Sequence, residues 1–443
     1  MIFDYANTDS YRGMPMRNRI PQALIFVLLS TLSMMGQINC TNSNKLVCQV
    51  PFSTGVFNTT GLTPAEKNKL LQQAQLIASG FNSAIATQTS QLPLASSSSG
   101  TVVLYKAGVP QTYDNLGPIL SERAPTVGKH QLFLSFTASQ FFFTDIDGLS
   151  LHKVPFSYAA SSSNSTLYVT ETVDSNFKVN QYVGIGTFGV TDKLDVSIIV
   201  PIERVSIGSS NLNGQEYILD AQSNLGQGPF PVTQQYFHGT ASGLGDIVFG
   251  AKYVVRAGER STLSVGLYER VPTGDDLNYL GSGAWGTNPY AAYSYVSRVS
   301  PHARLGYQWN SDTELNPNLT RSGNLALPGG LQYDIGADWS ATKHLTIAGD
   351  LMGNQFQNAP RLVPSTSVLK YQTGQPPVPV SVPLHGIVVT NSTYWINDIS
   401  AGAKWNPWKE LIVTGNVLFQ LNNVGMRARP TPLVGVSYKF GIH

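Results

Sequence analysis

From Lys129 onward, apolar and polar residues alternate with a period of two in one short segment after another. Leu194/Val196/Ile198/Val200, Leu263/Val265/Leu267 and Leu331/Tyr333/Ile335/Ala337/Trp339 are clear cases, with Asp195, Ser197, Ser264, Gln332, Asp334 and Asp338 between them. Successive side chains of a strand point to opposite faces, so each segment has one apolar and one hydrated face. The pattern predicts strands near 130–143, 177–190, 194–206, 244–256, 261–271, 288–299, 302–310, 330–340, 344–356, 394–405, 410–421 and 432–440, about twelve in all.

The links between these strands are sorted by length. Thr191-Asp192-Lys193, Ala257-Gly258-Glu259-Arg260, Ser300-Pro301, Ala341-Thr342-Lys343 and Asn406-Pro407-Trp408-Lys409 are short. Between them fall long links over about 145–176, 207–243, 272–288, 311–329, 357–393 and 422–431. Short turns on one side and long loops on the other follow the plan of a transmembrane antiparallel β-barrel, all-β, with both ends on the periplasmic side. A soluble β-sandwich also alternates, but it has no reason to sort its loops this way. Trp339, Trp395, Trp405, Trp408, Tyr253, Tyr307 and Trp309 fall near predicted strand ends, where interfacial aromatic girdles sit. The last strand, Val434 to Phe440, ends on an aromatic as the C-terminal signal of such barrels does, although Gly441-Ile442-His443 follows it.

Before residue 129 the pattern is different. Ala23–Gly36 is an apolar run behind Arg17 and Arg19, too short to span a bilayer and suited to a secretory signal peptide within residues 1–40. Residues 41–128 read as a periplasmic or plugging segment. Thr63-Pro64-Ala65-Glu66 opens a capping box, and Leu70, Ala74, Ile77, Phe81 and Ile85 then form one helical stripe, predicting a helix over 63–92. That stripe must be buried on the barrel wall, in the lumen or on a second copy. The two cysteines, Cys40 and Cys48, either close one small loop in an oxidising compartment or are partly lost with the leader.

Composition sharpens the class. Only 12% of the 443 residues are charged, about half the share in soluble domains, yet 42% are hydrophobic and no helical membrane pattern is present. A barrel accounts for this, since every second strand residue faces lipid and carries no charge. A net charge of +2 gives no basis for nucleic-acid binding. The partners expected are outer-membrane lipid and a small-molecule solute, with localisation in a bacterial outer membrane.

By strand parity, Asp195, Asp246, Lys252, Arg256, Arg304, Asp334, Asp338, Asp350, Asp398 and Lys404 face the lumen, together with Arg270. A charge turned to lipid costs about 2–4 kcal/mol at the midplane, so the inward direction is strongly preferred. Opposite charges recur on neighbouring strands, Arg304 beside the aspartates of the next strand and Asp398 with Lys404. For any one residue a cross-strand pair that fills the barrel is the simpler reading, with a selective conduit as the functional one.

Ser242-Gly243-Leu244-Gly245-Asp246-Ile247-Val248-Phe249-Gly250-Ala251-Lys252-Tyr253 resembles a strand of the MetA-pathway-of-phenol-degradation family of outer-membrane transporter-like barrels. Asn115-Leu116-Gly117-Pro118, Glu122-Arg123-Ala124 and Val127-Gly128-Lys129 resemble the approach to the first strand in the same family. The resemblance implies uptake of small hydrophobic or aromatic compounds; it carries over no substrate residues.

Enzyme motifs are missing: there is no GxSxG, HExxH, Walker A or CxxC, and no catalytic residue, metal or cofactor is expected. His130, His302 and His344 fall at predicted turn ends and read as periplasmic-rim residues rather than a hydrolase base. Gly184-Ile185-Gly186-Thr187-Phe188-Gly189 has phosphate-fingerprint spacing but precedes a strand, so it reads as barrel wall. The expected function is an outer-membrane channel for small solutes. The alternatives are a phospholipase-like barrel enzyme and a structural or adhesion barrel acting through its long loops.

Overall fold

A computed structural model describes residues 44–48, 64–97, 102–106, 109–113 and 115–442, except 162–164, 221–224, 233, 235, 318–322 and 409. The signal-peptide region lies outside the described residues, as does Cys40; Cys48 is disulfide-bonded.

Twelve strands form one closed antiparallel barrel: β1 (Gln131–Ile146), β2 (Ser165–Gly189), β3 (Leu194–Asp220), β4 (Ile247–Ala257), β5 (Ser261–Val271), β6 (Gly286–Tyr295), β7 (Val299–Tyr307), β8 (Leu331–Ser340), β9 (Leu345–Thr373), β10 (Val378–Trp408), β11 (Leu411–Gln420) and β12 (Thr431–Gly441). Each strand pairs with the next, and β12 returns to β1 with Gly441 opposite Gln131. Closure removes the free sheet edge that a β-protein must otherwise protect. The strand Tyr236–Leu244 runs in line with β4 on the neighbouring β3, interrupted at Gly245-Asp246.

Parity settles which face meets what. Phe136, Ile198, Tyr253, Leu305, Ile335 and Val434 are about half exposed, on strands all round the circumference. A continuous apolar belt of this kind is stable only in lipid. Tyr253, Trp339, Trp405 and Trp408 mark its edge at the short turns, while Trp309 and Trp395 mark the other edge.

Two boundaries differ from the sequence pattern. The regions read as long loops over 145–176, 207–243 and 357–393 are largely strand: β9 has 29 residues and β10 has 31, against roughly 10 needed to cross a bilayer. Above the lipid both faces of a hairpin can be polar, so pairing continues after the alternation fades. The turn placed at Ser300-Pro301 is at 296–298 instead, and β7 already contains Pro301 opposite Ala337.

The α-helix α1 (Pro64–Thr89) lies among the long loops, opposite the short turns. Phe81 packs on Phe156 with ring centroids 6.1 Å apart, and Phe81 and Ile85 share an apolar core with Phe143, Phe177 and Ile207. Its polar side is held as well: the Tyr279 hydroxyl donates to Asn82 Oδ1 and Ser83 Oγ to Asn316 Oδ1.

Candidate functional site: the lumen and its chamber

Two segments ahead of β1 lie inside the barrel wall. After α1, residues 90–97 descend through the lumen; residues 115–128 occupy its lower third and lead into β1.

The lower third is a buried ionic lock. Lys252 on β4 lies 2.7 Å from Glu122 Oε1 and 3.8 Å from Asp195 Oδ2 on β3, and also donates to the Arg123 carbonyl. Glu122 further accepts from the Ser97 backbone N–H and hydroxyl and from the Tyr268 hydroxyl, which ties both passes of the threaded chain to the wall. Burial works to raise the Glu122 carboxyl, but the Lys252 charge and these hydrogen bonds hold it below the ordinary value. Burial lowers the Arg123 guanidinium to about 10 against the support of Asp338, Glu122 and Asp195. Lys404 on β10 donates to the carbonyls of Leu116 and Pro118, and Asp195 accepts from the Val127 N–H at 2.9 Å. Charges buried this deeply persist only when paired.

A second hub, Asp246, sits in the break before β4. Its carboxylate accepts from the N–H of Gly274, from the N–H and hydroxyl of Ser282, and faces Arg270 Nε at 3.7 Å. It thereby draws the 272–285 loop inward, and that loop carries the fully buried Tyr279 to α1. The glycines around it are steric requirements: a Cβ on Gly245 would lie 2.9 Å from Pro201 Cγ, and one on Gly281 would lie 2.5 Å from Asp246 Oδ1. Arg270 also donates to the Ser90 carbonyl at 2.7 Å, placing a cation at the C-terminus of α1, where the helix dipole favours it.

Between lock and helix lies a cavity of about 180 Å³. Leu92, Leu94, Ile199, Val248 and Met352 line it together with Arg304, Asp334, Asn288, Gln332 and Asn354. Arg304 Nη1 bonds Asp334 at 3.1 Å, and its guanidinium lies 4.8 Å from the centre of the Tyr290 ring, which stacks on Tyr268.

Most charges assigned to the lumen are brought into these clusters. Asp195, Lys252 and Lys404 join the lock, Asp246 joins Arg270, and Arg304 joins Asp334. Asp338 and Asp350 meet on His302, its Nδ1 3.0 Å from Asp338 and its Nε2 2.7 Å from Asp350. Three readings need correction. Arg256 is exposed at the rim, because a bulge between Val254 and Arg256 reverses the parity and sets it opposite the outward Leu263. Asp398 pairs with Arg427 rather than Lys404, since six residues along one strand separate the two by roughly 20 Å. His302 is 3% exposed in the lumen, not on the rim, because the turn lies before β7.

Glu122, Arg123 and Tyr268 were not picked out as site residues from the sequence. The available signal was an adjacent acid and base in an otherwise apolar stretch, GPILSERAP, of a chain with few charges. Among the described residues, no group of three or more His, Cys, Asp or Glu side chains is placed to hold a metal.

The model of the family described as "Putative MetA-pathway of phenol degradation" matches residues 159–358, which include the Gly243–Tyr253 motif. The chain thus resembles this family over that stretch. No curated protein matches the chain. Among solved structures it is similar to the COG4313 outer membrane channel from Pseudomonas putida F1, at 13% identity, 72% of this chain, 98% of that one and a TM-score of 0.42. It is also similar to the P. putida toluene transporter TodX, at 10% identity, 71% and 90% coverage and a TM-score of 0.32, and to the NanC porin, at 8%, 70%, 100% and 0.35.

Proposed function

We propose that this protein is an outer-membrane channel that passes small solutes with apolar or aromatic bodies by gated diffusion. The observation that carries the reading is the chamber itself. Its volume of about 180 Å³ is close to the roughly 150 Å³ of a cavity known to hold benzene. Its lining mixes apolar side chains that suit such a ring with polar groups that suit a substituent. The family match over residues 159–358 supports the same direction. The threaded segments above and below the chamber act as the gate.

A hydrolase reading finds no support at His302, the one buried histidine among the described residues. Both ring nitrogens of His302 face carboxylates, so neither is directed at a hydroxyl nucleophile.

The test is liposome swelling and planar-bilayer conductance with the full chain and with a variant lacking residues 64–92, using the aromatic anions benzoate and hydroxybenzoate against the sugar acid gluconate, each read against protein-free bilayers. Faster entry of the aromatic solutes, and a further rise on deletion, is expected. No solute entry by either protein would remove the channel reading.

A further inference from the structure

Three cations stand near one another on the wall, just beyond the apolar belt on the loop side: Arg204 and Arg429 are exposed and Lys178 is half-buried. Lys178 on β2 is paired with Phe142 on β1 and with Ser206 on β3; Arg204 on β3 is paired with Asn180 and Ser242. Arg429 comes alongside, its backbone N–H donating to the Phe142 carbonyl at 2.8 Å. Strands lie about 4.8 Å apart, so the three cations fall within roughly 15 Å across four neighbouring chain segments.

The row below them is apolar: Tyr182, Ile202 and Leu244 are 43%, 52% and 41% exposed. The cations therefore stand at headgroup depth. Their companions are neutral hydrogen-bonding groups. Gln140 Nε2 donates to Asn180 Oδ1 at 2.6 Å, and the Ser206 and Thr240 hydroxyls are 3.1 Å apart. The Lys178 ammonium rests 4.6 Å from the centre of the Phe142 ring.

Among the described residues, no ion pair joins these cations to a carboxylate, and the nearest carboxylates have other partners or are turned inward. Glu203 and Glu171 are buried on the inner side, Asp174 is bound to His152 at 2.7 Å, and Asp145 accepts from the Thr144 hydroxyl. The corresponding level on β5 and β6 carries Glu269 bonded to Thr287 instead. The positive charge is thus concentrated on one sector of the wall.

We propose that this sector binds the phosphate-bearing headgroup of a lipid in the outward leaflet, with the acyl chains lying on Tyr182, Ile202 and Leu244. Arg and Lys above an apolar surface supply the charge-assisted hydrogen bonds a phosphate monoester takes, and the amide and hydroxyl row suits a sugar or glycerol. The inference rests on the membrane orientation but not on transport.

The experiment reconstitutes the full-length barrel in phosphatidylcholine bilayers containing a bisphosphorylated glycolipid or its dephosphorylated form, and counts retained lipid by native mass spectrometry. The wild-type barrel retains the phosphorylated form selectively. The triple variant Lys178→Gln, Arg204→Gln, Arg429→Gln loses retention by about a hundredfold, taking one cation at a time as additive. Lys193→Gln with Arg260→Gln, at the opposite rim, retains it, and millimolar inorganic phosphate does not displace it. Equal retention by the triple variant, equal retention of the dephosphorylated lipid, or displacement by free phosphate overturns the proposal. Solute flux and heat-modifiable gel migration of the triple variant match wild type, which separates this result from a failure of the channel or of folding.

Discussion

The ammonium of Lys252 on the barrel wall lies 2.7 Å from the carboxylate of Glu122 on the threaded segment, and both side chains are about 95% buried. Removing one partner leaves an uncompensated charge in a low-dielectric lumen, which costs about 3–5 kcal/mol. Lys252→Met is expected to expel residues 115–127, raising conductance and exposing Arg123 to trypsin. Glu122→Gln combined with Lys252→Met is expected to recover part of the closed state, because the remaining carboxylate, Asp195, still has the Val127 N–H and the Arg123 charge. Proteolysis of proteoliposomes beside single-channel recording measures both effects.

Asp246 binds the 272–285 loop through Gly274 and Ser282, so Asp246→Ala removes the acceptor of three hydrogen bonds at once. The loop, with Tyr279 at its buried tip, is expected to swing out and release the α1 contact at Asn82. Gly245→Ala should produce the same phenotype by steric pressure on Pro201 and on the Leu280 carbonyl, 2.9 and 3.2 Å from the added Cβ. Protease cleavage within 272–285 should rise several-fold in both variants while the barrel stays heat-modifiable. Unchanged cleavage would mean the loop is held elsewhere.

The barrel was legible because its two signals are repetitive: alternation names the lipid face, and link length names the orientation. The site was legible only in part. Parity brought Asp195, Lys252, Asp334 and Arg304 to the lumen, yet Arg427 lies in the 422–431 link, which has no alternation to read, so its pairing with Asp398 was out of reach. One bulged residue was enough to misdirect Arg256. His302 was lost to Pro301, which read as a turn although it occupies the opening of β7, a position where proline is tolerated. Glu122 and Arg123 belong to a segment without periodicity; their roles come from the wall around them.

His302 is held between Asp338 and Asp350, which come from the two following strands. His302→Phe leaves two carboxylates buried side by side without their partner, at a cost of about 3–5 kcal/mol. The variant should show a lowered heat-modification temperature and a weakened lower lock, since Asp338 also supports Arg123. Combining it with Asp338→Asn and Asp350→Asn should restore most of the temperature. A variant with unaltered melting would show that the cluster is solvated rather than sealed.

Acidity should tighten the outer cap. Glu314, on the strand Asp312–Pro317, is raised by burial and by the charge of Asp276, with which it shares a hydrogen bond. Asp276, on the inward loop, is raised by burial as well, with Asp275 adding to it. The one cation bound in this group among the described residues is Lys45, 2.6 Å from Asp275. Both carboxyls thus bind protons more tightly in the folded cap than in an opened one. The stabilisation is therefore complete below the ordinary carboxylate pKa and is lost as pH rises through the raised values. Solute flux is expected to fall as pH drops from neutral through the raised range of these carboxyls, and to be flat in Asp276→Asn with Glu314→Gln. A fall that persists unchanged in the double variant would show that Asp276 and Glu314 do not carry the response; release of Lys252 by Glu122, held below its ordinary value, would raise flux instead, and only on stronger acidification.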